Sequence, residues 1–135
     1  IAGSEGTLGV IRKATVRLVK KPKHTMVVVM AFPEVGSACD RVPEILEFGA
    51  SAAELIPPRL IQMARSVPAY APLNAILSPL LVGRDYPPSL LVVEFSGNSP
   101  AYLKENAERL MGDQTALLAE TSDQQDGIWL SLIQI

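Results

Sequence analysis

His24-Thr25-Met26-Val27-Val28-Val29-Met30-Ala31-Phe32 is the stretch on which the fold turns. From Met26 to Phe32 no polar side chain interrupts the run, and β-branched valines sit at its centre. Branched side chains lose little on a pleated surface and crowd a helix. A continuous apolar run of this length predicts a central strand covered on at least one face. Pro22 bars its backward extension, and Pro33 closes it.

The following segment changes period. Val35, Ala38, Cys39, Val42, Ile45 and Leu46 recur at helical spacing, which predicts a helix opening at Pro33-Glu34 and stopping at Gly49. Pro43 should kink it. Cys39 falls on the apolar stripe and is expected to be buried filler. The pattern then repeats further on. Ser89 to Phe95 is another apolar strand, and Ser99-Pro100 supplies an N-cap and a proline at the first helical position. The helix should run to Met111, with Leu103, Ala107, Leu110 and Met111 inward, Lys104, Glu105 and Glu108 outward, and Gly112 at its end.

Between these halves, Ala52–Ile56 predicts a short strand stopped by Pro57-Pro58, and Arg59–Val67 a short helix. Residues 68–88 contain five prolines and predict an irregular excursion with at most one helical turn near 73–77. Residues 115–120 predict a fourth strand, with Ser122 or Asp123 capping a last helix that carries Ile128, Trp129 and Leu132. Ahead of all this, residues 14–20 alternate and also read as a strand. Two β-α-β halves with long helices after the strands at 24 and 89 predict an α+β fold: a ferredoxin-like antiparallel sheet with helices on one face.

Composition narrows the class. The chain has 135 residues, 48% of them hydrophobic, enough for one cored domain. Twelve Lys and Arg against fourteen Asp and Glu give a net charge of −2, with no basic stripe for nucleic acid and no polybasic cluster for a membrane. One cysteine forms no internal disulfide and favours a reducing compartment. One histidine and one cysteine cannot build a zinc or iron–sulfur site. No apolar run is long enough to span a bilayer. No Ser/His/Asp set, P-loop or nucleophile elbow is present.

Function is signalled at the start. Gly3-Ser4-Glu5-Gly6-Thr7-Leu8-Gly9-Val10-Ile11 places a glycine at every third position, with hydroxyls between. Glycines allow positive φ and close approach, and successive free N–H groups make an anion-binding concavity. This stretch, with Ala14-Thr15-Val16-Arg17-Leu18 and Pro22 after it, resembles the closing stretch of the FAD-binding domain in FAD-linked oxidases of the vanillyl-alcohol-oxidase-like type. Ala53-Glu54-Leu55-Ile56-Pro57-Pro58-Arg59-Leu60-Ile61 and Leu90–Phe95 with Gly97 and Pro100 resemble segments of the same family's substrate-side domain. Pro57-Pro58 departs from the acidic residue common there.

The resemblance implies two pieces: residues 1–22 as the C-terminal tail of an FAD-binding domain, and 23–135 as a truncated C-terminal domain. It implies FAD as cofactor in the parent, lined by Gly6, Thr7, Leu8, Gly9, Val10 and Ile11, largely through backbone. It implies a small 2-hydroxy acid such as lactate or glycolate as substrate, an iron–sulfur domain or subunit as electron acceptor, and an isolated chain without activity. No catalytic residue and no metal ligand is assigned. Arg59 is the one candidate for a substrate carboxylate. In the family an arginine follows the Leu-Trp pair by three; Leu132 stands there in this chain. Cytoplasmic placement is expected, peripheral to a membrane in the intact complex, and the exposed apolar face of the fragment should let it self-associate.

Plain structural roles compete for the other polar residues. His24 reads as an exposed strand-edge residue, Glu5 as either a cofactor neighbour or a turn residue, Tyr70 and Tyr86 as loop anchors, and Trp129 as core. The alternative for the whole chain is a stand-alone ferredoxin-like module that binds a small molecule or regulates.

Overall fold

β1 (His24–Phe32) pairs along its whole length with β3 (Ser89–Gly97), antiparallel, from His24 opposite Gly97 to Phe32 opposite Ser89. β4 (Ala116–Ala119) flanks β1 and β2 (Ala52–Ile56) flanks β3, both antiparallel, so the sheet order is β2-β3-β1-β4. The structure is a computed structural model that describes residues 3–81, 83 and 86–133, with side chains as far as Trp129. The expected α+β, ferredoxin-like antiparallel sheet is borne out, but the helices expected on one face cover both, because the strands are apolar on both sides.

The apolar runs of β1 and β3 are continuous because the sheet has a core on each side. Successive strand side chains point to opposite faces. Val27, Val29, Ala31, Leu90 and Val92 feed one core; Met26, Val28, Met30, Phe32, Leu91, Val93 and Phe95 feed the other. α1 (Val35–Glu47) and α4 (Pro100–Met111) cover the second face through Ala38, Ile45, Leu103, Ala107 and Leu110. The first face is covered in addition by α2 (Pro58–Arg65), α3 (Ala71–Leu81) and α5 (Ser122–Ile133).

α3 corrects the reading of 68–88 as irregular. Pro68–Tyr70 forms one 3-10 turn, and α3 then runs eleven residues. Leu73, Leu77, Leu80 and Leu81 are buried at helical spacing and supply much of this core. Pro79 removes one hydrogen bond to the carbonyl four residues back, at Ala75; both residues are exposed, so water satisfies it. The same holds for Pro43 and Cys39 in α1.

Cys39 is exposed, not buried. The buried stripe of α1 is narrower than its apolar pattern: Ala38 and Ile45 are in the core, while Leu46 is 61% exposed. Residues 14–20 form no strand. Their backbone finds no ladder partner among the described residues, and Val16, Leu18 and Val19 stand in solvent. The remaining stops and caps follow local chemistry. Gly49 takes φ +77 just past α1, and the Ser99 hydroxyl accepts from the Tyr102 N–H at the start of α4. α5 is capped by Thr121, ahead of the expected Ser122 or Asp123. The Thr121 hydroxyl accepts from the Gln124 N–H, while Gln124 Oε1 accepts from the N–H groups of Glu120 and Thr121, a capping box.

Candidate functional site

The glycine loop is shaped by one turn. Thr7 donates to the Ser4 carbonyl twice, from its N–H at 2.9 Å and its hydroxyl at 2.6 Å. The chain makes this corner with positive φ at Gly3 (+79), Glu5 (+46) and Gly6 (+82). Glu5 is therefore a turn residue in an unusual conformation for a side chain bearing a Cβ. Gly9 does not use positive φ.

Gly3, Ser4, Glu5, Gly6, Gly9, Val10 and Ile11 bound a concavity of about 580 Å³. Of the N–H groups from Gly6 to Ile11, that of Thr7 alone is spent on a backbone bond among the described residues. A Cβ placed on Gly3, Gly6 or Gly9 would meet nothing within 4 Å, so the loop is open around these glycines. Arg12 and Lys13 follow directly and are exposed. Unspent donors, little side-chain bulk and adjacent cations fit the anionic and edge-binding parts of a dinucleotide cofactor such as FAD. Leu8, Val10 and Ile11 are exposed at 75%, 91% and 73%, an apolar wall without a covering layer among the described residues.

Arg59 lies elsewhere, exposed in the first turn of α2, and lines none of the concavities described here. The fold does not bring it to the glycine loop's concavity. His24 is exposed at the start of β1. Glu94 accepts from the Ser51 hydroxyl at 2.9 Å, and Trp129 packs against the core under α3. Leu132 has its side chain outside the described residues. Among the described residues no group of three His, Cys, Asp or Glu is placed to hold a metal. No helix there is long and apolar enough to cross a membrane.

Two shallow grooves on the outer face of α1 and α4 were not legible from the sequence. One, about 320 Å³, is lined by Glu47, Phe48, Tyr102, Asn106 and Arg109. The other, about 390 Å³, runs past Arg41 and Arg109 to Gln114. Their polar groups already serve the fold: the Arg109 guanidinium lies 5.5 Å from the centre of the Phe48 ring, Arg41 donates to the Leu110 carbonyl, and Asn106 donates to the Phe48 carbonyl. The one sequence signal was an arginine in the last turn of α4, near an aromatic that ends α1.

Similarity to known proteins places the chain. A stretch of 53 residues is 47% identical to a probable mitochondrial D-lactate dehydrogenase of Danio rerio, covering 39% of this chain and 11% of the relative. A stretch of 40 residues is 58% identical to the mitochondrial D-lactate dehydrogenase [cytochrome] of Arabidopsis thaliana, covering 30% of this chain and 7% of the relative. The matches thus span a small part of either relative's length. Both relatives are named as mitochondrial, which overturns the cytoplasmic expectation. That expectation leaned on a single cysteine, and a thiol count does not distinguish one reducing compartment from another. The model for the C-terminal domain of FAD linked oxidases matches residues 21–131, and the chain belongs to that family.

Proposed function

We propose that this chain is the junction and substrate-side portion of an FAD-dependent dehydrogenase or oxidase acting on a small 2-hydroxy acid such as lactate or glycolate. Residues 1–22 close the flavin domain, and 23–135 belong to the C-terminal domain. The observation that carries this reading is the family match over 21–131, immediately preceded by an open glycine loop with unspent N–H donors. The names of the two relatives favour D-lactate among the hydroxy acids.

FAD supplies the hydride acceptor at flavin N5. The chain's own contribution is binding and shape. Gly6, Thr7, Leu8, Gly9, Val10 and Ile11 present backbone to the cofactor, with Leu8, Val10 and Ile11 excluding water from it. The two-cored sheet gives a rigid wall on which a substrate pocket can be held in place. An iron–sulfur domain or subunit would be the electron acceptor in the intact protein. The chain alone lacks activity, and its uncovered apolar residues let it self-associate.

The test uses the intact protein that carries this segment. It should purify with bound flavin, and anaerobic D-lactate or glycolate should bleach the flavin absorbance. A preparation without flavin, or flavin indifferent to every small 2-hydroxy acid, would overturn the proposal. Dye reduction by the 135-residue chain alone would overturn its expected inactivity.

A further inference from the structure

Between Glu54 and Asp85 the chain carries no acid. Residues 55–83 hold Arg59 and Arg65 and no other charge, a formal +2 inside a chain of net −2. This stretch folds as α2, the 3-10 turn and α3. Two hydrogen bonds tie its helices together. Asn74 Nδ2 donates to the Ala64 carbonyl at 3.3 Å, and Arg65 Nη2 donates to the Leu81 carbonyl at 3.4 Å. Arg65, Asn74, Ser78 and Leu81 enclose a recess of about 190 Å³ between the helices. Asn74, Ser78 and Leu81 stand four and three residues apart, so one face of α3 supplies that wall and Arg65 crosses from α2.

We propose that this recess binds the carboxylate of a small aliphatic acid. A guanidinium carries five N–H donors in a planar fork. Among the described residues Arg65 spends one of them, on a carbonyl, and pairs with no carboxylate. The bond to Leu81 holds the fork in place while leaving donors over for an anion, which a fork takes through two parallel bonds. The Ser78 hydroxyl, exposed and without a bond among the described residues, supplies a third donor. No acid lines the recess to repel the ligand. Leu81, 6% exposed, gives the carbon chain an apolar surface. The volume suits an acid of a few carbons and falls below the roughly 300 Å³ at which pockets for larger organic ligands begin. Arg59 lines no concavity, so Arg65 is the arginine that the fold equips for a carboxylate. The site stands apart from the glycine loop and does not rest on the flavin chemistry.

The test is a titration of the intact protein that carries this segment, saturated with FAD, with carboxyl-¹³C-labelled propionate, read by NMR line broadening at fixed ionic strength. Propionate has no 2-hydroxyl to be oxidised, and uncharged propionamide serves as the control. Propionate should bind and propionamide should not. Arg65→Gln should weaken binding at least tenfold. Ser78→Leu, which fills the recess from an exposed position and leaves Arg65 and its bond to Leu81 in place, should abolish it. Unchanged circular dichroism and flavin content would confirm that both variants stay folded. No propionate binding overturns the proposal. Binding indifferent to Ser78→Leu overturns the site and assigns the acid elsewhere in the protein. Propionamide binding as tightly as propionate overturns recognition of the charge.

Discussion

Gln125 and Thr25, a hundred residues apart, hold each other reciprocally. The Thr25 hydroxyl donates to Gln125 Oε1 at 2.6 Å, and Gln125 Nε2 donates back to the Thr25 carbonyl at 3.1 Å. The same Nε2 also donates to the Ala119 carbonyl at 3.0 Å. One buried amide in α5 thus ties the start of β1 to the end of β4, where the β1–β4 ladder has stopped at Val27 opposite Ala119.

Gln125→Leu should therefore destabilise more than an average helix substitution. It leaves the buried Ala119 carbonyl without its donor, and breaks the part-buried bonds to the carbonyl and hydroxyl of the exposed Thr25. The expected loss is about 1–3 kcal/mol, read from urea unfolding. Thr25→Val, which removes one of the three bonds, should cost less, and the two changes should be non-additive because they share the network.

Gly127 lies where α5 approaches α3. A Cβ there would come within 2.8 Å of Ile76 Cδ1, the far end of a side chain that can turn away. Gly127→Ala gains roughly 0.5–1 kcal/mol of helix propensity, and the Ile76 shift offsets part of it. The net change should lie within about 1 kcal/mol of zero. Gly127→Leu has no such escape and should destabilise by about 1–3 kcal/mol by forcing the helices apart. Thermal unfolding of the two variants checks both.

Lys104 links α4 to the end of β4, with Nζ 2.9 Å from Glu120 Oε1 and 4.0 Å from Glu108 Oε1. The hydrogen bond and charge of Glu120 raise its pKa above the ordinary 10.5, with Glu108 adding to them and burial working against. A raised folded pKa favours the folded state while the ammonium is charged in both states. The contribution is fully present below pH 10.5 and fades as the pH climbs through the folded value. The stability difference between wild type and Lys104→Gln should be small, constant at neutral pH, and vanish in strong alkali. Urea unfolding at a series of pH values reads it.

Cys39 is exposed on α1. A water-soluble thiol reagent should label one thiol per native chain without denaturant. Labelling that waits for unfolding would mean the helix is rotated from the orientation described.

Much of the fold was legible because the strongest elements carry their reasons locally. The run at 24–32 and its counterpart at 89–95 announced central strands, and Ser99-Pro100 with Gly112 bracketed α4 to the residue. What went unread was the second core. The leucines at 73, 77, 80 and 81 have helical spacing, but Pro72 and Pro79 argued louder for a loop. Those prolines are tolerated because they sit on the solvent side of α3, a fact about burial that local propensity does not contain. The reverse error occurred at 14–20, where a strand's alternation was present and no partner was. The glycine loop was legible as an anion-friendly turn, yet only the coordinates show that Glu5, and not Gly9, turns its corner with positive φ.

By itself the sequence determined the class of this protein. Its glycine loop, its two apolar strands and the capped helices after them are short-range patterns that depend on neighbours a few residues away. Only the tertiary structure decided which faces those elements use. Whether Cys39 is inside, whether Arg59 meets the loop, and whether Gln125 or a tyrosine ties the sheet depend on contacts between residues up to a hundred positions apart. Burial is a property of the packed whole, and no window of sequence holds it.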